Sequence, residues 1–194
     1  MTEENLNRKY SGKDETYIID RCKNGDIEAF KTIYNKHRSK MYNIALRLHG
    51  NREDAEDSIQ EAFVQLFRKI KTFRKKSTFS TWFYRIVVNT CLNSIRKEKK
   101  RKKLDSLDDN VQKQIEYTSK RNPSLKVVLE NEIKKLPSGY KAVFILYEIE
   151  GFTHKEISKI LKISEGTSKS QLHFAKLCLR KGLKPYLENF RDEL

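Results

Sequence analysis

Residues 153–181 read THKEISKILKISEGTSKSQLHFAKLCLRK, and the fold turns on this stretch. Thr153 and Glu156 have the S/T-x-x-E spacing of a capping box, which predicts a helix from His154 that ends near Leu161. Ser164 can cap a second helix, with Glu165 placed favourably at its positive end. Two helices joined by so short a turn make a helix-turn-helix. On the second helix Ser168, Leu172, Ala175 and Leu179 share one face and are expected to pack inward. Lys169, Ser170, His173, Lys176 and Arg180 then point outward. Ser and Gln side chains can hydrogen-bond base edges while Lys and Arg hold phosphates. The outward face of 167–176, with Thr167, Gln171 and Phe174 beside those residues, is thus the candidate major-groove reader. The plainer alternative is a helical hairpin with a solvated face, in which Phe174 and Leu177 meet another helix.

The rest of the chain agrees with an all-α protein. Lys, Glu, Leu and Ile are abundant while Gly (7) and Pro (3) are scarce, a balance that favours long helices over a turn-rich β fold. Apolar residues recur at helical spacing through 26–49, 53–70, 78–97, 124–136, 139–150, 153–161 and 165–187. Between 97 and 123 the pattern breaks into KEKKRKK and then a polar stretch. Two helical domains, 15–98 and 124–187, joined by a flexible charged linker at 99–123, are expected. About 27 residues from Arg96 to Ser124 reach ~90 Å at ~3.3 Å each. Two turns of B-DNA occupy about 70 Å, so one chain can place two domains on sites that far apart.

The chain carries 41 Lys+Arg against 26 Asp+Glu, a formal net charge of +15. Both halves share the excess, and nucleic acid is the usual polyanion for such a protein. The N-terminus MTEENLNRKY has no apolar core, so no signal peptide is expected. The longest apolar run, AVFILY at 142–147, is too short to span a bilayer, and a cytoplasmic protein is expected. Cys22, Cys91 and Cys178 are widely spaced without a CxxC, which fits reduced, mostly buried thiols. His37, His49, His154 and His173 are scattered, and no P-loop, Gly-rich dinucleotide loop, catalytic triad or metal-ligand set is present. No catalytic residue, cofactor or metal is therefore expected, and the chain is not expected to be an enzyme.

Two further segments stand out. Residues 73–97, FRKKSTFSTWFYRIVVNTCLNSIRK, mix aromatic and basic side chains. Helical projection puts Trp82, Arg85, Asn89, Asn93 and Arg96 on one stripe, opposite a core stripe of Phe83, Val87, Cys91 and Ile95. Rings stack bases while amides and guanidinia bind their edges and phosphates, so this face suits single-stranded or distorted DNA. The plainer reading, favoured when the segment is taken alone, is that most of these aromatics are core residues. Residues 51–63, NREDAEDSIQEAF, place five acidic groups in a basic chain. Asp54, Asp57 and Glu61 share one helical stripe, opposite Ala55, Ile59, Ala62, Phe63, Leu66 and Ile70. That stripe repels phosphate, so it is a solvated face or a dock for a basic protein.

Taken together, REDAEDSIQEAF, FSTWFYRIVVNTCLN and LPSGYKAVFILYEIEGFTHKEISKILKISEGTSKSQLHFAK resemble, in this order, the extracytoplasmic function branch of the sigma-70 family, the promoter-recognition subunits of bacterial RNA polymerase. The resemblance covers roughly 15–98 and 124–185. It implies that Asp54, Asp57, Gln60 and Glu61 dock on core RNA polymerase. It implies that the loop from Phe73 to Thr81, with Lys76, Ser77, Thr78 and Phe79, opens and reads the promoter's −10 element together with Trp82, Arg85, Asn89 and Asn93. The face with Thr167, Lys169, Ser170, Gln171, His173, Phe174 and Lys176 would read the −35 element as duplex. The linker would pass through the polymerase towards the RNA exit, and an anti-sigma protein is an implied partner.

Ser168-Lys169-Ser170-Gln171 stands where relatives often carry Val-Lys-Ser-Arg, and Arg74-Lys75-Lys76 where Gly or Glu is frequent. A −35 preference therefore does not carry over. Two other readings use fewer of these features: a stand-alone helix-turn-helix regulator, and an RNA-binding adaptor.

Overall fold

A computed structural model describes residues 15–105 and 124–191. The first domain holds α1 (Glu15–Lys23), α2 (Ile27–His49), α3 (Arg52–Lys69), a 3-10 turn (Ile70–Thr72) and α4 (Phe79–Asp105). The second holds α5 (Leu125–Lys135), α6 (Ser138–Phe144) running into a π turn (Ile145–Ile149), α7 (His154–Leu161) and α8 (Glu165–Arg191). No strand occurs among the described residues, so the architecture is the expected all-α one.

Local chemistry sets the helix ends. Asp26 accepts from the Ala29 amide at 3.1 Å to start α2. Gly50 ends it in the left-handed region at φ 86° and donates to the Leu46 carbonyl, a conformation that glycine adopts without steric cost. Asn51 immediately caps α3 by accepting from the Asp54 amide at 2.9 Å. The Gly50–Asn51 corner thus reverses the chain in two residues and lays α3 on α2.

The core is continuous. Ile33, Ile44 and Leu48 of α2, Ala55, Ala62 and Leu66 of α3 and Phe83, Val87 and Cys91 of α4 are at most 2% exposed, and the cluster runs on into Ile145, Leu146, Ile157 and Ile160 of the second domain. A smaller cluster of Ile133, Leu136, Ala175 and Leu179 fastens α5 to α8. Burial pushes the Cys22 thiol up to about 11 and the Cys91 thiol up to about 12. These are structural thiols. Cys178 alone of the three is exposed.

Several boundaries differ from those expected. Helix α1 lies before the first expected helix, its buried Ile18, Ile19 and Cys22 being too short a pattern to stand out. Helix α4 runs through KEKKRKK to Asp105 instead of ending at the linker. Lys, Arg and Glu are good helix formers, and Glu98 pairs with Lys102 one turn on at 2.5 Å. The reach falls accordingly: ten helical residues at ~1.5 Å each and about 19 extended steps give roughly 75 Å. The rest of the expected linker, 106–123, and the N-terminal residues 1–14 lie outside the described residues. The helix expected over 139–150 runs on without a break, its last turn, Ile145–Ile149, being wound as a π turn.

Candidate nucleic-acid interface

The helix-turn-helix closes as its sequence indicates. Glu156 accepts from the Thr153 amide at 3.0 Å and its hydroxyl at 2.8 Å, while Thr153 Oγ1 accepts from the Glu156 amide at 3.3 Å. These bonds, the Thr153 amide foremost, hold the Glu156 carboxyl below its ordinary value. Lys162 turns the chain in the left-handed region at φ 56°, and Ser164 Oγ accepts from the Thr167 amide at 2.9 Å to start α8.

Ser168 is fully buried. Its hydroxyl meets His154 Nδ1 at 2.9 Å, and that imidazole stacks on Tyr147 with centroids 4.5 Å apart. The pair ties α7 to α8 and satisfies a buried hydroxyl that periodicity could place but not partner.

Thr153→Ala is expected to lower stability by about 1 kcal/mol, the usual loss with an N-cap. The Glu156 pKa is depressed on folding, so its contribution is present above its unfolded value, near 4.5, and is lost as pH falls through the folded value. Urea unfolding between pH 7 and pH 3 should show a smaller difference between variant and parent at the acid end. A constant difference would mean that the capping box does not couple the two residues.

Along α8 the reading face is exposed at Lys169, Ser170, His173 and Lys176. Thr167 Oγ1 lies 2.8 Å from Ser164 Oγ, and Gln171 rests against Gly139. Phe174 is 49% exposed and stacks on Tyr140 of the second domain with planes 17° apart. Its outward lean is thus used by α6. Lys176 Nζ pairs with Glu148 at 2.7 Å.

At the start of α4 two of the candidate aromatics face inward. Phe73 and Phe79 are 4% and 3% exposed, core residues whose rings pack 5.6 Å apart and against Trp82 at 5.3 and 6.0 Å. The loop doubles back from the 3-10 turn, so both rings face inward, where burial outweighs stacking on a strand. Lys76, Ser77 and Thr78 remain on the exposed tip, and Thr78 Oγ1 accepts from the Thr81 amide at 3.1 Å. Arg85 and Asn93 are exposed, Trp82 and Asn89 half-buried.

Helix α7 lies across part of this face. Asn89 Nδ2 donates to the Arg85 carbonyl at 2.7 Å and to the Ile160 carbonyl of α7 at 3.2 Å. Nearby, Tyr84 OH donates to Glu150 at 3.0 Å and its ring meets Phe152 edge-on at 4.8 Å. Glu150, whose carboxylate is 6% exposed, also receives Lys40 at 3.4 Å and Arg47 at 3.9 Å. Nothing in the helical pattern marks Glu150 as buried or as the partner of Tyr84.

On α3, Asp57, Gln60 and Glu61 are exposed. Asp54 is half-buried and turns to Asn51, whose amide donates to it at 2.7 Å. The exposed acidic stripe is therefore narrower than its sequence suggests. It continues into Val64 and Phe67, which are 42% and 57% exposed.

The fold and its faces define a helix-turn-helix protein of two helical domains. The family description Sigma-70 region 2 matches residues 33–101, and Sigma-70, region 4 matches residues 126–179. The extracytoplasmic function RNA polymerase sigma factor SigW of Bacillus subtilis (strain 168) is 33% identical over 177 residues, covering 86% of this chain and 95% of that protein. The sigma-E factor of Escherichia coli (strain K12) is 26% identical over 181 residues, covering 88% and 94%. Among solved structures, the sigma factor RpoE in complex with the anti-sigma factor NepR from Bartonella quintana has the same fold, at a TM-score of 0.65 and 22% identity over 81% of this chain and 98% of that one. CnrH in complex with the cytosolic domain of CnrY aligns at 0.63 and 18%, over 88% and 97%. The chain belongs to the extracytoplasmic function branch of the sigma-70 family.

Proposed function

We propose that the protein binds core RNA polymerase and directs promoter-specific initiation, reading the −35 element as duplex with α8 and helping to open and read the −10 element with the loop after the 3-10 turn and with α4. The observation that carries this reading is the polar and basic face of α8, set on a capped helix-turn-helix in a chain similar to SigW along nearly its whole length. Asp57, Gln60 and Glu61 form the polymerase dock, with Asp54 at its edge. Polymerase supplies the chemistry and the chain catalyses nothing itself, acting where the polymerase is, in the cytoplasm.

The −10 role is narrower than the resemblance alone implies. Lys76, Ser77, Thr78, Arg85 and Asn93 can meet DNA as they stand, while Phe73 and Phe79 support the loop from beneath. Asn89 becomes available when α7 leaves the Ile160 contact, which fits a closed free protein that opens on polymerase. An anti-sigma partner would act on the same surfaces.

Transcription reconstituted from sigma-free bacterial core polymerase, fragments of the source genome and this protein tests the reading. Discrete start sites that require the protein support it. Tight binding to a duplex operator with no start sites would overturn it in favour of a stand-alone regulator. Lys169→Ala should weaken duplex binding about equally across sequences and reduce the salt slope by about one. A change confined to one sequence would place Lys169 on a base edge instead.

A further inference from the structure

A cleft of about 640 Å³ lies between the two domains. Leu48, Ile95 and Leu136 form part of its wall, and the rest is strongly basic. Lys99 and Lys102 come from α4, Lys134 and Lys135 from the end of α5, and Lys141 from α6. Asp54 and Glu98 are the lining carboxylates, so the balance is 5 − 2 = +3. Both are engaged, Asp54 with Asn51 and Glu98 with Lys102. Lys135 pairs with Glu132 at 2.5 Å. Lys99, Lys134 and Lys141 have no carboxylate at ion-pair distance among the described residues.

Lys141 is the unusual member. It is 7% exposed, and its Nζ donates to the Leu48 carbonyl at 3.3 Å. A buried ammonium has three donors and a charge to neutralise, and one neutral carbonyl answers little of that demand. Burial lowers its pKa, and the charges of Lys99 and Lys134 lower it further. The Lys134 stem passes beside Gly50, at the end of α2. The cations therefore converge through the fold, from both domains, on one space.

We propose that this cleft binds a compact oligophosphate, inorganic or carried by a nucleoside triphosphate, which bridges Lys99 and Lys102 of the first domain to Lys134 and Lys141 of the second. A triphosphate carries several charges within a few ångströms, matching the three unpaired ammonium groups where a single carboxylate would not. The volume lies in the ordinary range for small-ligand sites, ~300–1,000 Å³. Because both domains contribute, the bound anion favours the arrangement in which α7 covers Asn89.

The test is thermal unfolding and calorimetric titration of the full chain with tripolyphosphate, with GTP and with sulfate, all at one ionic strength. Tripolyphosphate and GTP should each raise the melting temperature and sulfate should not. GTP binding at least tenfold more tightly than tripolyphosphate would identify a nucleotide as the source; similar affinities would identify the inorganic anion. Lys99→Gln and Lys134→Gln, exposed changes in different domains, should each weaken tripolyphosphate at least fivefold, and Lys141→Met should weaken it further. Lys31→Gln/Lys71→Gln, which removes two charges elsewhere, one more than either single variant, should leave the affinity within twofold. The proposal is overturned if sulfate is as effective, if only one of Lys99→Gln and Lys134→Gln matters, or if the distant pair weakens binding as much.

Discussion

Asp57→Lys/Glu61→Lys is expected to reduce binding to core polymerase by a factor of at least about 10³ and to abolish start sites in the reconstituted reaction. The two carboxylates stand one turn apart on the exposed face of α3. Truncating one partner of a close interfacial charge pair costs about 2–5 kcal/mol, and like charges brought together cost several more. Two reversals thus exceed the ~4 kcal/mol that a 10³-fold loss requires. The fold should be nearly indifferent, since exposed substitutions away from caps fall within about ±0.5 kcal/mol, and the acidic residues of the first turn are Glu53 and Asp54. The design separates the two partners. Each reversal adds two charges, so the net charge rises from +15 to 15 + 4 = +19, and duplex binding in the absence of polymerase should hold or strengthen. Loss of transcription with retained DNA binding would locate the defect at the polymerase dock. Unchanged transcription would return this stripe to a solvated face.

The acidic stripe shows what sequence could and could not deliver. Its position on a helix follows from period 3.6, and so do the core face of Ala55, Ile59, Ala62 and Leu66 and the caps at Thr153 and Ser164, because each depends on residues within one or two turns. That Asp54 turns away to Asn51 while Asp57 stays free depends on side-chain rotamers at a cap, which spacing does not specify. The Ser168–His154 pair, the Asn89 bond to Ile160 and the Tyr84–Glu150 bond join residues 14, 71 and 66 positions apart. No local pattern encodes them. The same holds for Phe73 and Phe79: an aromatic next to lysines reads equally well as a stacking platform or as a core residue flanked by solvated charge, and only the path of the loop decides. KEKKRKK misled in the opposite direction, because charge density resembles a linker while the residue types favour helix.

Phe83→Ala is expected to cost about 3–5 kcal/mol, the usual range for a fully buried Phe. Phe83 has 0% exposure and its ring is surrounded by Phe63 at 5.1 Å, His37 at 6.0 Å and Phe79 at 6.1 Å. For a chain of this size, about 2–4 °C per kcal/mol gives a fall in melting temperature of roughly 10 °C. The neighbouring residue provides the contrast. Tyr84→Phe keeps the ring against Phe152 and removes the hydroxyl donated to Glu150. Burial, and then the Glu150 charge, raise the phenol's pKa, so it stays a donor through the accessible pH range. Losing a bond to a charged group costs about 1.5–3 kcal/mol, and Lys40 and Arg47 reduce that cost by remaining on the carboxylate. The two variants should also differ in kind. Phe83 lies inside the first domain and its loss lowers the stability of the α2–α3–α4 core on which α7 rests. The Tyr84 hydroxyl reaches between the domains, and its loss loosens only their contact. Tyr84→Phe should therefore leave unfolding cooperative with a small shift and make the −10 face easier to reach, seen as faster amide exchange in α7. If instead it destabilises as much as Phe83→Ala, the interdomain contact is part of the folding core and the free protein does not open without unfolding.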